Sequence, residues 1–281
     1  DIVCFYWEGK GSAERRRKLL KEYKEGRKFV GFNRKFDGDP DAEREAFRNE
    51  LIRLKKYMNT FPFFQFSIDY LEADDVIAYS CNKIFKNNYE KVILSTDRDY
   101  YQLIDKNTKL FRPVKRKILE NDILDGNISL GKDIRKDEKP ILNKKGDVIK
   151  TYGELITYNY LVEYLKCYPQ NYILVKCLIG DADNLKGNPR VGETTVLKDF
   201  PFLALERKYE INDVIQYAKI ESKNNKKYEK YIVEENIKTL QMNQELMQLL
   251  EPNISLAAIN SIEKEFSVEP QFNKTQFRYL T

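Results

Sequence analysis

Apolar positions along the chain change period several times, and each change predicts an element. Residues 2–7, Ile-Val-Cys-Phe-Tyr-Trp, form the longest unbroken apolar run and read as a strand. From 12 to about 28 the spacing is helical but nearly all charged, with Ser12 placed as N-cap, Gly26 near the end, and Leu19, Leu20 and Tyr23 as the apolar anchors. A second helix is predicted over 41–58, where Phe47, Leu51, Leu54 and Met58 recur as a core-facing stripe. Phe61-Pro62-Phe63-Phe64 breaks it, and a short strand at 66–69, a helix at 72–85 and a compact buried strand at 91–95 follow. Between 110 and 152 the chain is charged and turn-rich, which predicts a surface insertion with a small hairpin over 141–149. Helical patterns return at 155–166 and 171–179, a glycine-rich turn leads to a helix from about 193, and the chain is mostly helical from 202. No internal repeat or low-complexity tract interrupts the pattern.

Composition narrows the class. With 281 residues, 42% hydrophobic and 33% charged, the chain suits a globular protein with one large core or two smaller ones. Its longest apolar run is far short of the ~18 residues of a membrane span. There is no histidine, which excludes Ser-His and Cys-His nucleophiles and the usual neutral-pH base. Cys4, Cys81, Cys167 and Cys177 lie singly in apolar surroundings, as core residues of a reducing compartment. Hydrolytic chemistry in this chain has to run on carboxylates, lysines and bound metal. The net charge of +5 is modest, but residues 10–35 hold eleven basic side chains against three acids. A charge run is ordinarily a solvated helix face; this one is poorly anchored and also suits contact with phosphates. The chain opens at Asp1 directly into a strand, which reads as a missing N-terminus.

Three acidic clusters stand out: Glu72-Ala73-Asp74-Asp75, Asp97-Arg98-Asp99 and Asp181-Ala182-Asp183-Asn184. On a helix Glu72 and Asp75 share a face while Asp74 points about 100° away, and in an extended segment Asp97 and Asp99 project to one side. The first cluster stands at a helix start and the second at a strand's C-terminal end, where open α/β sheets place their active crevice. Singly, such acids are ordinary helix starts and loops. Gathered in one crevice they repel one another, which cations offset, and an all-oxygen site selects Mg²⁺ or Mn²⁺. Two such ions activate water and stabilise the leaving oxygen of a phosphodiester, chemistry that needs no histidine.

At these residues the sequence resembles the 5′-nuclease (flap endonuclease) family, which includes phage exonucleases and the N-terminal nuclease domain of bacterial DNA polymerase I. Four signatures agree in order: Tyr23-Lys24-Glu25-Gly26-Arg27, Glu72-Ala73-Asp74-Asp75, Ser95-Thr96-Asp97-Arg98-Asp99 with Tyr101-Gln102-Leu103, and Gly180-Asp181-Ala182-Asp183-Asn184 running into Gly187 and Gly192. The resemblance spans roughly residues 3–250. It implies an α/β, PIN-like core with a mostly parallel central sheet over 1–175, including a helical arch at about 10–60 and the charged insertion at 110–152. A helix-three-turn-helix and a C-terminal helical region then occupy 176–281. The implied activity is metal-dependent 5′-3′ exonuclease or flap endonuclease cleavage of branched or 5′-ended DNA in replication or repair. A DNA-binding protein that kept the fold and lost catalysis is the alternative.

The resemblance assigns Glu72, Asp74, Asp75, Asp97, Asp99, Asp181 and Asp183 to two Mg²⁺ ions, with Mn²⁺ as substitute, and adds Glu8 where the family has aspartate. Lys24 and Arg27 match the arch-base cations that contact the scissile phosphate. Arg15, Arg16, Lys18 and Lys21 are expected on DNA, with Tyr23 either stacking on an end base or packed in the core. Lys186, Gly187, Arg190, Gly192 and Thr194 fall on the DNA-binding hairpin, where carbonyls also hold K⁺. Three departures accompany the match. The family's first acidic motif would precede Asp1. One residue rather than two separates Asp181 from Asp183, and Arg190 and Thr194 stand where the family has glycine and lysine. Replication proteins are implied partners, a phage or bacterial cytoplasm the implied location, and a membrane role is not expected.

Overall fold

A computed structural model describes residues 1–25, 39–86, 88–114, 127–129, 152–181 and 185–280. The chain divides into two compact units that interleave along the sequence, one built from Asp1–Ile77 and Asn253–Thr281, the other from Ala78–Asp181 and Leu185–Pro252.

In the first unit, β1 (Cys4–Tyr6) pairs in parallel with β2 (Phe64–Phe66), so the apolar opening run is a strand as its composition demands. α1 (Glu14–Leu19) follows β1 and is shorter than the predicted 12–28 helix. Ala13, not Ser12, stands at its N-cap without a side-chain bond, and Leu20 leaves it in extended conformation. A segment so poor in apolar residues lacks the packing that would prolong it. α2 (Pro40–Met58) begins where local chemistry dictates: Asp39 accepts from the amides of Asp41 (2.9 Å) and Ala42 (2.7 Å), and Pro40 takes the first helical position. Its apolar stripe is not core-facing as predicted, for Phe47 and Leu54 are about half exposed. Packing gathers instead at the C-terminal turns, where Lys55 lies 4.8 Å over the Trp7 ring and Tyr57 meets Phe277 edge-on. Trp7 is pinned further by its Nε1, which donates to Gln65 Oε1 at 3.0 Å. The unit is closed by α9 (Leu256–Phe266), started by Ser255 capping Ala258, and by α10 (Lys274–Leu280). Phe266 packs at a tilt against Phe64 and Phe66, as Phe272 does against Phe61, and Phe277 meets Phe61 edge-on.

α3 (Ala73–Tyr79) continues into a π-helical turn, Ser80–Ile84, covering the predicted 72–85 helix. In the second unit a four-stranded sheet has the order β3-β4-β6-β5, from β3 (Lys91–Leu94), β4 (Thr108–Val114), β6 (Tyr152–Ile156) and β5 (Asn127–Ser129). β3 and β4 are parallel, joined through a 3₁₀ turn at Asp99–Leu103, while β6 runs antiparallel to both β4 and β5. Thus the strands of the predicted nuclease core pair in parallel, and the antiparallel pairs come from the region read as an insertion and the residues directly after it. That insertion begins later than predicted: Leu110 is fully buried in β4, and the 141–149 hairpin lies outside the described residues. Among the described residues β3 is an edge strand rather than a buried one, with Ile93 inside and Val92 and Leu94 largely exposed. β6 occupies the start of the predicted 155–166 helix, which is reduced to a π-helical segment at Tyr160–Leu165.

The core of this unit is helical. α4 (Tyr172–Ile179) buries seven of its eight residues, as its almost unbroken apolar sequence requires, and packs on α5 (Glu193–Asp199) and α8 (Glu234–Met247). α6 (Ile211–Ser222) starts on a reciprocal box between Glu210 and Asp213, and the one-turn α7 (Glu229–Ile232) precedes α8. Phe200, Phe202, Tyr217, Tyr228 and Tyr231 form an aromatic cluster around the end of α5. Cys81, Cys167 and Cys177 are buried thiols outside any disulfide, as expected, while Cys4 is half-buried.

Asp199 is the polar centre of that cluster, accepting from Tyr231 and Lys227, both at 2.7 Å. Burial pushes its pKa up, but these two bonds and the nearby Lys230 more than offset that, so the native carboxyl lies below its ordinary value. A depressed carboxylate stabilises the fold fully above the unfolded value near 4, and that contribution fades as pH falls through the native value. Asp199→Asn should therefore cost about 1–3 kcal/mol at pH 7. The difference from the parent should shrink below about pH 4 in denaturant titrations. A gap constant from pH 7 to pH 3 would contradict this.

Candidate active site

The first unit brings the Tyr23-Lys24 and Glu72–Asp75 signatures together. Glu72 immediately precedes α3, and its carbonyl accepts from the amide of Asp75 at 3.2 Å, so both side chains leave the same end of one helix. Arg16 of α1 grips Asp75 with two nearly parallel bonds, Nη1 to Oδ2 at 3.0 Å and Nη2 to Oδ1 at 2.9 Å, and its Nη1 also bonds Glu72 Oε2. Arg15 Nη2 stands 3.3 Å from Asp75 Oδ2. Lys24 Nζ donates to Glu72 Oε1 at 2.8 Å and the Tyr23 hydroxyl to Glu72 Oε2 at 3.2 Å. A left-handed backbone at Lys24 (φ +57°) turns its side chain back to Glu72 just after α1. The i, i+3 reading of Glu72 and Asp75 is thus realised around one guanidinium.

Arg16, Glu72 and Asp75 are 3%, 1% and 1% exposed. Burial would lower the Arg16 pKa, but Asp75 and Glu72 overcome this and hold it above its ordinary value, so the guanidinium is always charged. One expectation is corrected here. Arg16 is not on a solvent-facing DNA stripe, because its charge is consumed by two buried acids; of the two roles open to Tyr23, its 6% exposure gives the core one. Lys18 and Lys21 are exposed, as DNA contacts require; Arg15 and Lys24 are partly so. Asp74 is half-buried and Glu8 exposed beside β1. Arg27 lies outside the described residues.

The second unit holds the other acids. Asp97 and Asp99 do not sit in one extended segment as predicted, because the 3₁₀ turn starts at Asp99; Asp97 is exposed and its Oδ1 accepts from the Asp99 amide at 2.8 Å. Lys176 Nζ, from the middle of α4, lies 3.0 Å from Asp99 Oδ1 and 2.6 Å from Asp181 Oδ2. Burial raises the Asp99 pKa; Lys176 pulls it down and Asp97 and Asp181 push it up, leaving it at about 7. Sequence reasoning missed Lys176 because it interrupts an apolar helix and carries no motif; a lone lysine in such a run was the available signal.

The loop carrying Asp181 is tightly tied. The Asp181 amide donates to Leu185 O at 2.8 Å and that of Asn188 to Leu178 O at 2.8 Å. Gly180 (φ +75°) and Gly187 cross so closely that a Cβ on Gly180 would meet Leu185 O at 2.3 Å and one on Gly187 would meet Ile179 O at 2.1 Å. Asn243 of α8, 1% exposed, clamps both limbs by donating to Cys177 O at 2.9 Å and Lys186 O at 2.8 Å. Asn243→Ala removes the donor to the buried Cys177 carbonyl and the part-buried Lys186 carbonyl and should cost about 1–3 kcal/mol, read as a lower urea midpoint with unchanged slope. Lys186, Arg190, Gly192 and Thr194 are exposed and Gly187 is half-buried, around the turn before α5; Arg190 takes the left-handed conformation (φ +58°) that favours glycine. Asp183 lies outside the described residues.

The donor set is all oxygen, and a cation already stands between Asp99 and Asp181, so these residues suit a hard divalent ion in chemical type. Among the described residues, no group of three or more His, Cys, Asp or Glu is gathered as a metal-holding cluster; the carboxylates are instead paired with resident lysine and arginine.

Residues 1–128 match the family model of the 5′-3′ exonuclease N-terminal, resolvase-like domain. Over these residues the chain is similar to the 5′-nuclease family. The thermostable DNA polymerase I of Thermus thermophilus is 28% identical over 155 residues, 55% of this chain and 14% of the polymerase. The flap endonuclease Xni of Shewanella halifaxensis is 34% identical over 107 residues, 38% of this chain and 36% of that one. The chain thus spans well under two-thirds of either relative. Its fold is similar to that of the T5 5′-exonuclease solved with bound zinc, with a TM-score of 0.64 at 17% identity, covering 95% of this chain and 84% of the other. The T5 D15 protein crystallised with metal ions gives a TM-score of 0.61 at 18% identity, covering 95% and 82%. The 5′-nuclease fold therefore extends beyond the matched 128 residues to nearly the whole chain.

Proposed function

We propose that this protein is a structure-specific, divalent-metal-dependent 5′ nuclease, a 5′-3′ exonuclease or flap endonuclease that hydrolyses DNA phosphodiesters at branched or 5′-ended duplexes in replication or repair. The observation that carries this reading is that the family's signature residues meet within each unit: Lys24 contacts Glu72, and Asp99 and Asp181 converge on one cation. Bound Mg²⁺, or Mn²⁺ in its place, held as two ions by Glu8, Glu72, Asp74, Asp75, Asp97, Asp99, Asp181 and Asp183, would supply an activated water and a stabilised leaving oxygen. The chain's own residues do the rest. Lys24, oriented by Glu72, and Arg27 bind the scissile phosphate and stabilise the charge that develops on it. Arg15, Lys18 and Lys21 draw the DNA backbone in through contacts that weaken with salt. Lys186, Arg190 and Thr194, beside the backbone of Gly187 and Gly192, hold the downstream duplex, with K⁺ on the carbonyls of that turn. No described helix is long and apolar enough to cross a membrane, and we place the activity in the cytoplasm of a bacterial or infected cell, beside replication proteins.

The test is cleavage of a 5′-labelled flap DNA with Mg²⁺, with Mn²⁺ and with EDTA. Release of a short labelled product near the junction, abolished by EDTA, is the expected result. Tight flap binding with no product in either metal would overturn the catalytic reading in favour of a DNA-binding protein on the same fold, the outcome that the short Asp181–Asp183 spacing favours.

A further inference from the structure

Lys176 is out of place by the rules of helix burial. Its neighbours Val175 and Cys177 are 0% and 1% exposed, and nothing in the packing of α4 calls for a charge there. Bringing an ammonium into this core costs desolvation that its carboxylate partners must offset. The geometry says where the offset comes from. Asp99 arrives from the turn after β3 and Asp181 from the glycine-tied loop after α4, and one Nζ spans an oxygen of each, at 3.0 and 2.6 Å. Those are the distances at which a bulky monocation sits between two oxygens. Mg²⁺ takes oxygens at about 2.0–2.1 Å and Ca²⁺ at about 2.3–2.6 Å, so an ion that bridged these two oxygens from the gap between them would stand where the ammonium now stands.

We propose that Lys176 is a resident counter-ion: in the metal-free protein its ammonium fills the cation position between Asp99 and Asp181, and a divalent ion binds there only by displacing it. The proposal rests on the reading of Asp99 and Asp181 as metal-site acids. It makes Lys176 a positioning residue with two consequences. Without metal, it suppresses the mutual repulsion of the acids and keeps the loop of Asp181 docked. With metal, it competes, so that the protein discriminates against weakly charged or scarce ions and binds divalent cations less tightly than its carboxylates alone would allow.

The measurement is Mn²⁺ binding by calorimetry on the whole protein, for the parent and Lys176→Met, which keeps the length and apolar stem of the side chain. Removing one unit charge beside a divalent ion should tighten Mn²⁺ binding about ten-fold or more. Unchanged or weaker binding by a folded Lys176→Met protein would overturn the proposal. A second readout needs no variant: acylation of Lys176 by a small anhydride, followed by mass spectrometry with exposed Lys198 as reference, should rise several-fold on saturation with Mn²⁺ as the amine leaves its carboxylates. Labelling that stays constant through saturation would equally overturn it. The double variant Asp99→Asn/Asp181→Asn separates the two layers of argument. If it binds Mn²⁺ as the parent does, the assignment of these acids to metal fails, and the counter-ion proposal with it. If it loses Mn²⁺ while Lys176→Met binds no tighter than the parent, the assignment stands and the counter-ion proposal alone fails.

Discussion

Asp97→Asn is expected to lower metal-dependent flap cleavage by about two to three orders of magnitude, the scale on which removal of a single electrostatic group acts on a charged transition state. The same change should move stability by no more than about 0.5 kcal/mol. The contrast follows from where Asp97 sits. It is exposed, and its one described structural duty is to accept the Asp99 amide through Oδ1, which asparagine performs equally well. What asparagine lacks is the negative charge beside Asp99. Single-turnover cleavage and a thermal melt on the same sample test the two halves together. Parental cleavage would remove Asp97 from the metal site, whereas a large fall in melting temperature would show a structural role that the geometry does not contain. Asp75 is the worse choice for such a test, since Asp75→Asn also breaks the paired bonds from Arg16.

The largest effect on stability is expected at Arg16. Arg16→Met leaves Glu72 and Asp75 almost fully buried with their central cation gone, and stripping one partner from a buried ion pair costs about 3–5 kcal/mol. Lys24 and Arg15 remain near the acids, but Lys24 reaches only Glu72 and Arg15 stands at longer range from Asp75, so neither restores the two-pronged grip. Denaturant unfolding measures the loss, and a double-mutant cycle with Asp75→Asn apportions it. A cost below 1 kcal/mol would mean that water or Arg15 replaces the guanidinium, and that α1 is not held to α3 through this contact.

These two sites also mark how far the sequence could be read. Elements whose cause is local were legible: α2 begins at Asp39-Pro40 because the cap and the proline are adjacent in the chain, and α4 follows from an apolar run that must be buried somewhere. The pairing of Glu72 with Asp75 was legible too, because helical spacing decides it. The partner of that pair was not. Arg15, Arg16, Arg17 and Lys18 are interchangeable to any periodicity argument, and which of them turns inward is decided by acids more than fifty residues away. The same limit explains Phe47 and Leu54, whose spacing promised a core that the packing of α2, gathered at its C-terminal end, does not provide. Lys176 was invisible for the opposite reason, since the motif that needs it lies on other segments and the helix that carries it looks like plain core.

Trp7 gives the molecule an optical asymmetry. It is the single tryptophan among 281 residues and belongs to the unit of Asp1–Ile77 and Asn253–Thr281, where Lys55 covers its ring and Gln65 holds its indole nitrogen. Its emission therefore follows the surroundings of β1 and β2, whereas far-ultraviolet dichroism is weighted towards the helices of both units. Superposed denaturation curves from the two signals would mean that the halves melt as one cooperative body; separated midpoints would mean that each carries its own free energy of unfolding.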